Sequence, residues 1–494
     1  MSLIYKITAP AVRTVARRQL EEGMKAPAAY MKKMKTLQKK PLPLERLRGA
    51  YDFEEKRVGS AVHYMVHSRK SKSNRVILYL HGGGFCRPLK ADDFEFAEEM
   101  ADETGADVWL VDYALFPDAT GKEIAGSVVD VYLEALKKHD SKDIAFYGNS
   151  AGAALCFTVC VYLRKYMPVV PLPGMIVSHS PCIRIPTSLN EQEKMNLLDQ
   201  KDIIIPAGYV NMYAERPDLF QTGGFEEFAS PIDSDWSSFP RTLVVFGSDE
   251  VFLAYLPAII RKCREDHVEL ETYVGKGRHC YCAKGILPEA HAGRERIYAF
   301  LCGERRPWET MSEDLIEDLN RNQQGELDAV IMYRMLADRM DSESDANAMR
   351  RLADDELRHA RIFRKLTGVK KVPGRTQGDA VCLLYRTMGK AKLFRLMARG
   401  EYAAVNRYSA LSVLFPQLEE VMEDEQKHGD ALMGLCTSDC DGGAAVAGSQ
   451  GREEGRGKGS GTAGFRQSAC RDGHVGEGCK IFPGHPEAGR GQKP

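Results

Sequence analysis

The chain has 494 residues, 44% apolar and 28% charged, a make-up that suits a globular protein with more than one core and excludes global disorder. Its 68 Lys and Arg against 69 Asp and Glu leave a formal charge of -1, so no whole-protein field draws it to nucleic acid or anionic lipid, and any substrate has to be chosen by a local site. No stretch approaches the roughly 20 apolar residues a bilayer requires; the best candidate, Val169 to Val177, is cut by Pro171 and Pro173.

Residues 1 to about 55 read as amphipathic helix followed by a basic, Pro-containing stretch, KKPLPLERLRG. The opening residues lack the apolar run and small-residue cleavage site of a signal peptide, so a cytoplasmic address is expected. Thirteen cysteines, several in apolar settings such as Cys156, Cys160 and Cys263, are expected to stay reduced and serve mostly as packing. From Asn74 the pattern changes to short β-rich runs separated by helix-length segments: RVILYLH, DVWLVDY, DIAFYG, GMIVSHS, TLVVFGS and VELETYV. That alternation predicts parallel βαβ units in a sheet covered on both faces, ending with the helix RERIYAFLCG near residue 303.

GERRPW, residues 303 to 308, reads as a boundary. Beyond it the β-rich runs stop, and four stretches carry helical periodicity: Leu315 to Met340, Ser344 to Leu366, Gln377 to Met397 and Glu401 to Leu435, interrupted by VKKVPG and FPQ. From about Thr437 the chain is Gly-rich and almost without apolar pairs. It is expected to be disordered, because it has too little to bury to offset its ordering entropy; a frameshifted or read-through tail would have the same composition.

Two motifs carry chemistry in the first part. Tyr147 to Gly152 reads YGNSAG between the strand DIAF and the helical run AALCFTVCVYL, the G-x-S-x-G pattern in its strand-turn-helix context, with Ser150 as the candidate nucleophile. The Ala151 N–H at the helix start can face a developing oxyanion. His81-Gly82-Gly83-Gly84-Phe85 ends the strand RVILYL; consecutive glycines let backbone N–H groups approach a substrate, and Gly83 and Gly84 are the candidate donors. A serine nucleophile needs a base and an orienting acid, expected in the chain order Ser, acid, His. Asp249 follows the strand TLVVF and His279 follows VELETYV, both at carboxyl ends where an open sheet places its ligands. Glu250 is the rival acid, one residue further from the strand end, and His267 the rival base, placed before its strand; Asp249 and His279 are favoured.

Residues 74 to 302 resemble the hormone-sensitive lipase-like α/β-hydrolases, the acetyl esterase or family IV carboxylesterase group. The resemblance is carried by HGGGF at 81–85, VDYALFPD at 111–118, GNSAG at 148–152, Ser180-Pro181, Ser230-Pro231, FPRTLVVFGSDEV at 239–251, the His279 block and PEAHAGRERIYAFL at 288–301. It implies Ser150 as nucleophile, His279 as base, Asp249 as acid, and Gly83, Gly84 and Ala151 as oxyanion donors. It further implies a cap made of residues 1 to 55 and an insertion of about 183–228 on a hydrolase domain of 56–306. Asn149 and Asp118 depart from the family's usual Asp and Glu. A cap of this length favours short-acyl esters.

In the helical part, 309–436, two E-x-x-H pairs stand out, Glu356 with His359 and Glu425 with His428, each placing a carboxylate and an imidazole on one helix face. The other two helices offer Glu326 and Glu401, and the order Glu, ExxH, Glu, ExxH is that of four-helix di-iron proteins. The domain resembles rubrerythrins of the ferritin-like superfamily, which implies two iron ions and either oxidation of ferrous iron or reduction of peroxide. Ala404 stands where rubrerythrins carry a further carboxylate, and Cys436, Cys440, Cys470 and Cys479 lack the paired C-x-x-C spacing of a rubredoxin module.

The expectation is therefore an α/β-hydrolase with a mostly parallel sheet and a helical cap, followed by an all-α ferritin-like bundle and a disordered tail at 437–494. Its function would be that of a serine carboxylesterase needing no cofactor in the hydrolase, with di-iron in the bundle. Its partner is a small-molecule ester, not nucleic acid or a membrane, with a homodimer as the assembly to test. The competing readings are an iron-dependent oxidoreductase as the main activity, and a chimeric product of two neighbouring genes.

Overall fold

The computed structural model describes residues 3–70, 73–283, 285, 287–305 and 313–436; the tail expected to be disordered, 437–494, lies outside them, as does the junction at 306–312. Among the described residues no helix is long and apolar enough to cross a membrane, and ten cysteines are free thiols, eight of them buried.

One eight-stranded sheet runs in the order β1-β2-β4-β3-β5-β6-β7-β8. The six β-rich runs of the sequence are its parallel part: β3 (Val76–Leu80), β4 (Asp107–Asp112), β5 (Ile144–Asn149), β6 (Met175–His179), β7 (Arg241–Gly247) and β8 (Leu270–Gly275). They are apolar almost throughout because helices cover both faces; every residue of β3 and β5 is buried. The sequence reading missed β1 (Phe53–Val58) and β2 (Ala61–Val66), an antiparallel hairpin on one edge. β1, FEEKRV, is polar because an edge strand has one side free of partners, and polarity hid it. The N-terminal helices accordingly end at Ala50 rather than about 55.

The turn between β5 and the helix Ala151–Tyr166 decides where the chemistry sits. Ser150 has φ 53°, ψ -119°, a strained conformation for a residue with a side chain. A Cβ on Gly148 would lie 2.1 Å from the Gly152 carbonyl oxygen, and one on Gly152 would lie 2.0 Å from the Leu80 carbonyl oxygen. Neither neighbour can give way, since both are backbone. Gly152→Ala is therefore expected to cost about 3 kcal/mol or more, read as a lowered urea midpoint together with loss of ester turnover.

The helical part differs from the expected four stretches in one respect. Its helices are Glu313–Ala337, Glu343–Thr367, Thr376–Met388, Lys390–Leu414 and Leu418–Leu435. The run expected over 377–397 breaks at Gly389, whose φ of 77° and ψ of 165° end one helix and start the next. Glu401 thus lies in the middle of a 25-residue helix rather than at a helix start, and the short Thr376–Met388 helix serves as the connection. The bundle packs on the hydrolase part: Leu319, Phe363, Tyr408 and Leu411 share one apolar cluster with Leu198 and Ile205. Lys276 pairs with Asp318 at 2.7 Å, and Lys201 donates to the Arg407 carbonyl at 3.2 Å.

Candidate active site and metal centre

Four adjacent strands, β5 to β8, deliver their carboxyl-end residues to one place. Ser150 follows β5, Ser180 follows β6, Glu250 follows β7 and His279 follows β8. His279 Nε2 lies 2.9 Å from Ser150 Oγ, and His279 Nδ1 lies 2.6 Å from Glu250 Oε2. With the proton on Nδ1 held by the carboxylate, Nε2 presents a lone pair to the serine hydroxyl. Glu250 is wholly buried and its other oxygen accepts from the Gly247 amide at 2.6 Å and the Ser180 hydroxyl at 2.8 Å. Ser180 Oγ in turn accepts from the Cys280 amide at 3.1 Å, tying the loop that carries His279.

The pairing of His279 with Glu250 corrects the expectation that Asp249 would fill this place. Beyond Gly247 the ladder to β8 continues, with Ser248 N bonded to Gly275 O at 2.8 Å and Asp249 N to Gly277 O at 2.9 Å. In extended backbone neighbouring side chains point to opposite sides, so Asp249 and Glu250 diverge. Asp249 sits by the Ser248 hydroxyl at 3.3 Å; burial pushes its carboxyl up to about 6, against the pull of Lys201 and Lys276, the two lysines at the bundle junction. Counting residues from the strand end chose the acid that turns away. The part played by Ser180 was not expected, and its cue in the sequence is the Ser-Pro pair directly after a strand. His267 stands at the opposite end of β8 from His279, as read.

Burial alone would lower the His279 pKa; the neighbouring Cys280 and Glu250 outweigh it and hold it well above the ordinary imidazole value. Gly82, Gly83, Gly84 and Ala151 line a cavity of about 400 Å³ together with Ser150 and His279. The glycine loop lies against the serine turn: a Cβ on Gly82 would be 3.1 Å from Ser150 Cβ. The rest of the wall is apolar and aromatic. Val12 and Leu20 come from the N-terminal helices and Ile205, Tyr209 and Tyr213 from the 183–228 segment, so the two stretches expected to form a cap do line the cavity.

The six residues expected to hold metal converge in the bundle. Glu326, Glu356, His359 and Glu425 can present one atom each within 4.8 Å of one another, and so can Glu356, Glu401, Glu425 and His428. The two groups share Glu356 and Glu425, so the set reads as two neighbouring positions joined by two carboxylates. His359 Nδ1 is 3.2 Å from Glu425 and 3.5 Å from Glu356, and His428 Nδ1 is 3.4 Å from Glu356. Three of these donor atoms, His359 Nδ1, Glu425 Oε1 and His428 Nδ1, are buried with no well-aligned hydrogen bond beyond these close approaches. Burial and the neighbouring Glu326 push the Glu356 pKa well up, and Glu425 is pushed up to about 10, chiefly by burial. Crowded carboxylates and imidazoles in a dry interior are what a bound metal ion would neutralise, and an oxygen-and-imidazole set is one that iron accepts.

Around this set the bundle repeats itself in ways that spacing along the sequence already holds. The residue before each E-x-x-H glutamate is an aspartate, and each reaches across: Asp424 to His359 Nε2 and Asp355 to His428 Nε2, both at 3.4 Å. Arg358 donates to both aspartates. Seven residues after Glu326 comes Tyr333, and seven after Glu401 comes Tyr408. Two turns on, each shares its glutamate's helix face, yet Tyr333 donates to Glu401 and Tyr408 to Glu326. Such outer contacts orient ligands and fix imidazole tautomers.

Known proteins resemble both parts of the chain. Residues 77–282 match the family described as alpha/beta hydrolase fold, and residues 317–378 match rubrerythrin. The chain thus carries an α/β-hydrolase fold followed by a rubrerythrin match. An esterase of Acinetobacter venetianus is 26% identical over 234 residues, 47% of this chain and 76% of that protein. Human hormone-sensitive lipase is 27% identical over 133 residues, 26% of this chain but only 12% of the lipase. A solved esterase from the bacterial hormone-sensitive lipase family has 23% identity, covers 58% of this chain and 97% of its own, and gives a TM-score of 0.47. The rubrerythrin match takes in Glu326, Glu356 and His359; Glu401, Glu425 and His428 lie beyond it in sequence and join it only in space.

Proposed function

We propose that the hydrolase domain is a serine carboxylesterase for small, short-acyl esters, with Ser150 as nucleophile, His279 as general base and Glu250 as orienting acid, and that the rubrerythrin domain holds two iron ions. The single observation carrying the esterase reading is the Ser150–His279–Glu250 relay opening into a cavity lined by the glycine loop. His279 takes the Ser150 proton as Oγ attacks the ester carbonyl, and the amides of Gly83, Gly84 and Ala151 face the oxyanion. The carbonyl reforms with loss of the alcohol, which receives the proton from His279. Water, deprotonated by the same imidazole, then releases the carboxylic acid from the acyl-serine.

In this reading the acyl group lies in the cavity of about 400 Å³ bounded by Tyr209, Tyr213 and the N-terminal helices, and the modest length of the cap favours short acyl groups. With p-nitrophenyl esters, kcat/KM for acetyl and butyryl is expected to exceed that for lauroyl by at least about tenfold. A fluorophosphonate is expected to leave one covalent adduct on the peptide containing Ser150. Absence of both turnover and adduct would reject the reading.

In the bundle, Glu356 and Glu425 would be shared by both irons, with Glu326 and His359 completing one position and Glu401 and His428 the other. Bound iron would supply one-electron redox chemistry towards oxygen or peroxide. The chain's own part is to hold the donors in place through Asp355, Asp424, Tyr333 and Tyr408 and to keep water out of an interior where Glu326, Glu356, Glu425 and both histidines are buried.

A further inference from the structure

The acid that orients His279 is itself held by a residue from the cap. Asp202 follows the helix Leu189–Leu198 and is completely buried. Its Oδ1 accepts from the amides of Ile204 and Ile205 at 2.7 and 2.9 Å, a local turn that any Asp or Asn could make. Its Oδ2 is used differently: it accepts from the Val251 amide at 2.9 Å, a bond that spans 49 residues from the cap to the residue after Glu250. We infer that Asp202 is a positioning residue for the esterase reaction, holding the backbone on the far side of Glu250 so that the Glu250 carboxylate meets His279 in line. This rests on the reading of Ser150, His279 and Glu250 given above.

The wiring around Glu250 supports the assignment. On one side its carboxylate is fixed by Gly247 N and Ser180 Oγ, while on the other side the chain enters the short 3-10 turn Val251–Tyr255, whose first amide is the one Asp202 accepts. Asp202 is in turn fixed from outside. The Arg17 guanidinium, itself 6% exposed, donates to the Asp202 carbonyl at 2.6 Å and to the Asp199 carboxylate at 2.7 Å. A continuous path thus runs from the N-terminal helices through the 199–202 segment to Glu250, His279 and Ser150. A carboxylate in so dry a place is costly to keep, and burial pushes its pKa up to about 6 against the pull of His279 and of the amides it accepts. A side chain serving only the local turn would need no second anionic oxygen.

Asp202→Asn separates the two uses, because the amide oxygen can still close the local turn while the amide nitrogen meets the Val251 N–H donor to donor. Expected for p-nitrophenyl acetate is a fall in kcat of about 10- to 100-fold with KM within about threefold, the signature of misaligned groups rather than lost binding. Val251→Pro deletes the same bond from the donor side with the carboxylate intact, after an extended Glu250 (φ -121°, ψ 143°) that tolerates a following proline. If one variant does not fold, the other decides. The readout that a merely structural role would not move is coupling: on a Glu250→Gln background the Asp202→Asn loss is expected to shrink below about threefold. Wild-type kcat in a folded Asp202→Asn or Val251→Pro chain, or a loss fully additive with Glu250→Gln, would overturn the proposal. A wild-type chain with neither turnover nor a fluorophosphonate adduct would overturn the underlying reading, and this proposal with it.

Discussion

Glu250→Gln is expected to lower kcat for p-nitrophenyl acetate by about 10³- to 10⁴-fold, roughly 4–5.5 kcal/mol of transition-state stabilisation, whereas Asp249→Asn stays within about threefold of the wild type. The contrast follows from two bonds. Glu250 holds His279 Nδ1 at 2.6 Å with its second oxygen on Gly247 N and Ser180 Oγ, so the amide variant either puts an N–H against the imidazole N–H or forces the wrong tautomer. Asp249 spends its side chain on Ser248 and the field of Lys201 and Lys276, away from the imidazole. The pH profile gives a second signature with a defined sign. Catalysis needs neutral His279, and Cys280 and Glu250 together raise its pKa, so wild-type kcat/KM is expected to fall as pH drops through a value above 6.5. Removing the Glu250 charge disfavours the imidazolium, and the residual activity of Glu250→Gln is expected to persist to lower pH. An unshifted acid limb, or a severe loss in Asp249→Asn, would return the role to Asp249.

Replacing Glu356 by Ala removes a carboxylate common to both donor groups. Iron content is expected to fall from about two ions per chain to well below one, since both positions lose a ligand, while Ser150-dependent ester turnover stays within about twofold. Glu401→Ala touches one position only and is expected to retain about half the iron. Stability separates the states further. Without metal, Glu356 and Glu425, each 2% exposed, hold carboxyl groups against one another and against Glu326, a cost that only bound cations offset. The metal-free Glu356→Ala chain is therefore expected to melt no lower than the metal-free wild type, and the iron-loaded wild type above both. Metal analysis with calorimetry checks all three. Full iron content in Glu356→Ala would mean the ions, if any, sit elsewhere.

Much of this was legible along the chain because the relevant signals are local. Six parallel strands announce themselves through apolar runs covered on both faces, and GNSAG states its own geometry, since only glycine fits where a Cβ would meet backbone at about 2 Å. The two E-x-x-H pairs are legible because three residues apart on a helix means one face. What stayed hidden are elements whose meaning lies in a partner. The hairpin β1–β2 has a polar edge, and Gly389 splits a helix that periodicity would continue. The repeats Asp355/Asp424 and Tyr333/Tyr408 are regular in sequence, yet they act by reaching to the other helix's ligand.

By itself the sequence determined the kinds of groups present and the strand or helix that carries each: a serine at a strained turn, a histidine after the last strand, two acids side by side, and six metal-type donors on four helices. Only the tertiary structure decided which acid lies against the histidine, because that depends on how far the β7–β8 ladder runs before the chain turns and on which side a side chain leaves it. It also decided that an aspartate of the cap reaches the loop behind that acid. Spacing along a chain fixes faces and periods, whereas the meeting of two distant segments is set by packing and by the need of every buried polar atom for a partner.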